Sequence, residues 1–335
     1  MSWKTAVYDY VHAKNRAEAE LGAEPLRSVL TADPSRFEEH AKVLQAARQS
    51  AAARGLRLIE QKSRLRMKPL YELPDEAAAE LEVHRTLTYE GHGCEYTEER
   101  VEREQVTVAP RSADERWELV AVQKLQPPDS YRPKPAAPLS YAAGWPESLP
   151  VQAALPYLNT SILQGPESSS RKMYNRAAAV QYAEIYWNKA NPQYVEFEVD
   201  CTNFVSQCLF AGGLPMNYTG KRDSGWWYRG RINGQEQWSF SWAVAHSLSA
   251  YLLSSGRAVQ VADARELRPG DVICYDWDGD GRFQHNTIIT GMDYSGQPLV
   301  NAHTYNARGR FWAYHDSPAY SDRTAYLFLR ISDRI

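Results

Sequence analysis

The amino-acid sequence predicts an α+β protein in two parts. Three observations carry this expectation. Residues 1–55 space their apolar side chains at helical intervals, whereas residues 56–125 alternate with period two. Nine of the 19 prolines fall between Pro127 and Pro166, which marks a linker. Beyond it, helical patterns give way to short apolar strands. The expected organisation is an N-terminal domain over residues 1–126, a Pro-rich linker over 127–170 and a C-terminal domain over 171–335.

In the N-terminal part, Trp3, Val7, Tyr10 and Val11 form one apolar stripe, and Phe37, Ala41, Leu44 and Ala47 form another. Asp33-Pro34 reads as the cap and first turn of the second helix, and Gly55 as its stop. Leu81, Val83, Leu87 and Tyr89 then alternate with Glu82, His84, Thr86 and Thr88; Trp117, Leu119 and Ala121 repeat the pattern. About four antiparallel strands are expected, half-buried by the helices, with turns at Glu90-Gly91-His92-Gly93 and Pro110-Arg111-Ser112. Helices followed by such a meander resemble the cystatin-like and nuclear-transport-factor-like patterns. No catalytic set accompanies them. His84 and His92 read as surface residues, and the expected role is docking or substrate presentation.

In the linker, Arg132-Pro133-Lys134-Pro135 should be extended, while Leu149 to Leu163 is apolar enough to dock on a domain. Asn175 then caps a helix striped by Ala178, Tyr182, Ile185 and Tyr186, and Asn191-Pro192 ends it. The acidic loop Glu196, Glu198, Asp200 leads into a second helix, closed by Gly212-Gly213. On that helix Cys201, Phe204, Val205 and Cys208 fall at i, i+3, i+4 and i+7 and share a face. Cys208 reads as a core thiol. Cys201 lies in the first turn, where unpaired N–H groups and the helix dipole favour a thiolate. Seven residues of helix put the two about 10 Å apart, too far to bridge.

Trp226-Trp227-Tyr228, Trp238, Phe240 and Trp242 follow, then a helix over 243–255 and strands at 271–277, 284–291, 298–304 and 325–331. Trp242 reads as core, whereas Trp226, Trp227 and Tyr228 are candidates for an exposed substrate-binding edge. His285 opens a strand, and Asp293-Tyr294-Ser295-Gly296 turns the chain back as a hairpin. Asn301 and His303 therefore return on one face beside it. A thiol must lose its proton to attack a carbonyl, an imidazole can take that proton, and a third polar group can fix the ring's tautomer. Asn301 and His303 compete for that last role.

Asp200-Cys201-Thr202-Asn203-Phe204-Val205-Ser206-Gln207-Cys208, Leu267-Arg268-Pro269-Gly270-Asp271 and Gln284-His285-Asn286-Thr287-Ile288-Ile289 together resemble the "putative amidase domain" family, in the CHAP-like branch of the papain-like cysteine hydrolases. The resemblance covers about residues 171–335. It implies a papain-like fold with Cys201 as nucleophile, His285 as general base and Asn301 or His303 as orienting group. The implied activity is that of an amidase or peptidase, with peptidoglycan peptides as the substrate class. Acyl transfer to an amine, and a non-catalytic protein gripping wall peptide or glycan through Trp226, Trp227 and Tyr228, are the alternatives. The amide of Cys201 is one candidate oxyanion donor, with no second donor assigned.

Asp276-Trp277-Asp278-Gly279-Asp280-Gly281 matches the first half of a calcium loop, but position 12 would be Thr287, which offers no carboxylate. An Asp/Gly-rich hairpin turn is the favoured reading, and no cofactor is expected. Four cysteines without a CxxC pair argue against a disulfide framework or zinc site. A net charge of −3 gives no general reason to expect nucleic-acid binding. No signal-peptide pattern follows Met1, and no run of about 18 apolar residues suggests a membrane span. A cytoplasmic location is expected, with the cell envelope or spore as alternatives for a wall-acting enzyme.

Overall fold

A computed structural model describes residues 2–31, 34–111, 116–125 and 173–335. Asp33, the turn at Ser112 and the linker 127–170 with its Leu149–Leu163 stretch lie outside the described residues. The chain is mixed α+β, with extensive antiparallel sheet. It divides into two compact units, Met1–Gln126 with Ala313–Tyr320, and Pro127–Trp312 with Ser321–Ile335. No described helix is long and apolar enough to cross a membrane.

In the first unit, α1 (Trp3–Glu20) and α2 (Pro34–Ala53) precede four antiparallel strands, β1 (Arg57–Glu72), β2 (Ala77–Gly91), β3 (Cys94–Pro110) and β4 (Trp117–Lys124). Gly55, at φ +64°, follows the end of α2 as expected. Along β2 the alternation holds: Leu81, Val83, Leu87 and Tyr89 are buried. Trp3, Val7 and Tyr10 of α1 share a core with Leu81, Val106, Val108 and Leu119. His92 is exposed at a turn where it and Gly93 both take positive φ, the backbone of a two-residue hairpin connection. His84 is half-buried and meets Glu99 at 2.9 Å.

The pattern hid a charged stripe inside this unit. Lys14 lies 2.8 Å from both Glu102 and Glu104, Tyr10 donates to Glu104, and the fully buried Arg85 bonds Glu102 and Asn15. Charges of both signs meet there, so each is compensated on burial.

In the second unit, α3 (Arg176–Tyr186) and α4 (Cys201–Ala211) are followed by the small ribbon β5 (Tyr228–Ile232) and β6 (Gln235–Trp238). Two helices, α5 (Phe240–Ala243) and α6 (Ala245–Ser254), come next. The remaining strands are β7 (Ala258–Val261), β8 (Val272–Asp276), β9 (His285–Met292), β10 (Pro298–Ala302), β11 (Ala307–Phe311) and β12 (Ala325–Ile331). They pair antiparallel in the order β11-β10-β9-β8-β12-β7. The final strand therefore inserts between β7 and β8. Phe204, Val205 and Cys208 of α4 pack with Val272, Cys274, Ile288, Leu327 and Leu329 on one sheet face.

Asn175 caps α3 by accepting from the Ala178 amide at 3.0 Å, and Gly213, at φ +90°, follows the end of α4. The β9–β10 turn forms at Asp293–Gly296, with the Asp293 carboxylate accepting from the Ser295 and Gln297 amides at 2.9 Å each. Pro269-Gly270-Asp271 has a structural task. Buried Asp271 takes Arg176 at 2.6 Å and the amides of Arg268 and Ile331 at 2.8 Å each, tying α3 to the entry of β8 and to β12. In the Asp/Gly loop, the Asp276 carboxylate accepts from the Gly279, Asp280 and Gly281 amides, the bonding of a self-capped turn.

The expected exposed edge at Trp226, Trp227 and Tyr228 is not there. All three are buried. The reason lies in α4, which is buried from Cys201 to Leu209 although it carries Asn203, Ser206 and Gln207. Such groups need partners away from water. Trp226 Nε1 donates to Ser206 Oγ at 3.0 Å, Trp242 Nε1 to Asn203 Oδ1 at 2.7 Å and Tyr182 OH to Gln207 Oε1 at 2.6 Å. Tyr228 OH donates to Glu236 and accepts from the Val195 amide. These aromatics bury area and satisfy the polar side of the helix at once.

Candidate active site

Cys201 is the first residue of α4 and is buried. Its Sγ lies 3.7 Å from Thr202 Oγ1. Burial pushes the thiol up from its ordinary range, and the Asn286 amide and the Thr202 hydroxyl pull against that rise. Asn286 stands opposite Cys274 across β8–β9, with its side chain on the α4 side of the sheet, where Nδ2 donates to Thr202 Oγ1 at 3.2 Å. Its Oδ1 is buried without a hydrogen-bond partner among the described residues.

His285 immediately precedes Asn286 at the start of β9, and alternation along the strand turns its side chain to the other sheet face. Its ring packs against Tyr275, with centroids 5.4 Å apart, and Trp277, at 6.0 Å. Burial, and then the charge of Arg310, lowers its pKa to about 3, which leaves the imidazole neutral at neutral pH. Asn301 donates to Glu184 at 2.8 Å and accepts from Thr290 Oγ1 and the Gly309 amide at 2.9 Å each. His303 stacks on Phe204 at 4.1 Å, with Nδ1 at 2.7 Å from Asp200 Oδ2 and Nε2 at 2.7 Å from the Tyr186 carbonyl. Both ring nitrogens are engaged within the fold. The hydrogen bonds of Asn301 and His303 thus run to α3, α4 and neighbouring strands.

Asp200 is the hub beside the nucleophile. Its Oδ1 accepts from the Phe197 amide at 3.0 Å and from Asn203 Nδ2 at 2.8 Å, while Oδ2 faces His303. The carboxylate therefore does not cap α4. That task falls to Thr304, whose Oγ1 accepts from the amides of Asp200 at 3.0 Å and Cys201 at 3.2 Å. The Cys201 amide, expected as an oxyanion donor, is engaged there. Sequence reasoning passed over Thr304 and Asn286. Each is the immediate neighbour of a histidine that it had singled out, and that adjacency was the available signal.

The family described as "Putative amidase domain" matches residues 173–328, the segment that builds this site. A 163-residue segment is 54% identical to "Uncharacterized protein YhbB" of Bacillus subtilis (strain 168), covering 48% of this chain and 51% of that protein. A 134-residue segment is 31% identical to "Uncharacterized protein YjcM" of the same organism, covering 37% of this chain and 29% of that protein. The chain thus spans about half the length of the first curated relative, and less of the second. No solved structure matches. The family match supports an amidase-like, hydrolytic function for residues 173–328.

Proposed function

We propose that this segment is a cysteine-dependent amide hydrolase of papain-like type, with Cys201 as nucleophile and His285 as general base. The observation that carries the reading is the seating of Cys201 Sγ. It lies at the start of a buried helix, 3.7 Å from the Thr202 hydroxyl that accepts from Nδ2 of Asn286, the residue that follows His285. Burial keeps the thiol raised and the His285 imidazole neutral, a resting state without charge separation.

On substrate binding the His285 ring turns from Tyr275 and Trp277 to Sγ and takes its proton as sulfur attacks the carbonyl carbon, forming the C–S bond and an oxyanion. The backbone amide of Asn286, which pulls the thiol down against burial, is the donor we assign to that oxyanion. Collapse breaks the C–N bond, and the His285 imidazolium protonates the departing amine. Water, deprotonated by His285, then attacks the thioester; the acid leaves and the proton returns to sulfur. Contact with Tyr275 and stacking on Trp277 hold the His285 ring in the resting state. Asn301 and His303 support the site from behind.

Peptide or amide bonds of peptidoglycan are the proposed substrate class, on the strength of the motif resemblance. The test uses p-nitrophenyl acetate as acyl donor. A burst of p-nitrophenol with the acetyl group mapped to Cys201, lost in Cys201→Ala and His285→Ala, is expected. Acetylation of Cys201 no faster than that of an unfolded peptide thiol would overturn the nucleophile. Release of new amino groups from purified peptidoglycan tests the substrate class separately.

A further inference from the structure

We propose that Thr304 is a positioning residue for Cys201, acting through the helix backbone; the proposal rests on Cys201 being the nucleophile. Helix α4 begins without a local side-chain cap, because the Asp200 carboxylate turns away to Phe197, Asn203 and His303. A single hydroxyl 103 residues downstream takes the amide of the nucleophile itself, along with that of Asp200. An N-cap supplied across the fold couples the setting of the thiol to the turn that leaves β10.

The backbone supports this assignment independently. Thr304 sits at φ +77°. A β-branched residue rarely adopts that region, and where one does the surroundings must impose it. Glycine would meet the turn's geometry without strain but would carry no hydroxyl. His303, immediately before it, is locked at both ring nitrogens and stacked on Phe204 of α4, so the turn is anchored on the helix it caps. With the first amides of α4 held, Sγ keeps its place beside the Thr202 hydroxyl, to which Asn286 donates, and the Thr202 and Asn286 groups pull the thiol down against burial. Loss of the hydroxyl releases that alignment. The thiol then becomes harder to ionise, and acylation slows at neutral pH.

The experiment compares the full-length protein with Thr304→Ser, Thr304→Ala and Thr304→Gly. It measures the rate and pH profile of Cys201 acylation by p-nitrophenyl acetate, together with thermal stability. A rise of one pKa unit makes the thiolate about tenfold scarcer at neutral pH. Thr304→Ala and Thr304→Gly should therefore slow acylation about tenfold at pH 7 and move the profile about one unit upward. Thr304→Ser should restore both. Thr304→Gly loses the cap but relieves the strain, so it should be more stable than Thr304→Ala, and an equally slow reaction in the two separates positioning from folding. Thr304→Gly acylating at the native rate with the native profile would overturn the positioning role while leaving Cys201 as the nucleophile. A native Cys201 no faster than a free peptide thiol would overturn both.

Discussion

His303 and Asp200 form a buried pair at 2.7 Å, and the second ring nitrogen of His303 is spent on the Tyr186 carbonyl. A ring held at both nitrogens is not free to collect a proton from a thiol. The pair is a strut that joins β10 to α4, and removing one partner leaves the other buried without it. His303→Ala is expected to cost about 3–5 kcal/mol in urea unfolding. The loss in the double variant with Asp200→Asn should be well below the sum of the single losses. A single-variant loss under about 1 kcal/mol would contradict the strut.

Stability should fall on mild acidification, and the sign follows from two buried histidines. His285 is lowered to about 3 and His40 to about 4, in both cases chiefly by burial. Unfolded, each titrates near 6.5, so between those values the unfolded chain binds more protons than the folded one. The stabilising contribution of neutral burial is complete above about pH 6.5 and lost progressively as pH falls toward 3–4. Denaturant midpoints measured from pH 7 to 4 should decline, and His40→Gln should flatten the decline. A flat profile in the native protein would refute the buried neutral state.

The bond from Trp226 to Ser206 predicts a core role for an aromatic that looked like a contact surface. Trp226→Ala should cost about 3–5 kcal/mol through lost packing. Trp226→Phe keeps much of the volume, and its coupling with Ser206→Ala in a double-mutant cycle should be about 1 kcal/mol. Zero coupling would remove the hydrogen bond from the account.

Gly225 holds φ +72° where Asn217 and Trp226 pair as an isolated bridge, and an added Cβ would collide with the Asn217 carbonyl. Gly225→Ala should therefore destabilise the protein by roughly 1–3 kcal/mol. An unchanged melting temperature would show that the bridge moves aside freely.

Local periodicity disclosed much of this molecule. The stripe Cys201, Phe204, Val205, Cys208, the alternation along β2 and the Asp293–Gly296 turn follow from spacing and from residues suited to turns, which act over a few positions. The strands β8, β9, β10 and β12 were legible as short apolar runs. The strands β7 and β11 were not, since four or five residues with alternating exposure do not stand out against a loop.

The sequence by itself determined the longer helices and strands, the two-cysteine helix and the choice of Cys201 and His285 as the chemical candidates, because helix and strand periods are written residue by residue. Only the tertiary structure decided the partners. It placed Trp226 inside against Ser206 rather than outside against a ligand, and it sent Asn301 to Glu184. It also turned Asp200 from helix cap to ion-pair partner and gave the cap to Thr304. A hydrogen bond is satisfied by whatever donor or acceptor the fold brings within about 3 Å. Proximity between residues 103 positions apart is a property of the packed chain and of no local pattern.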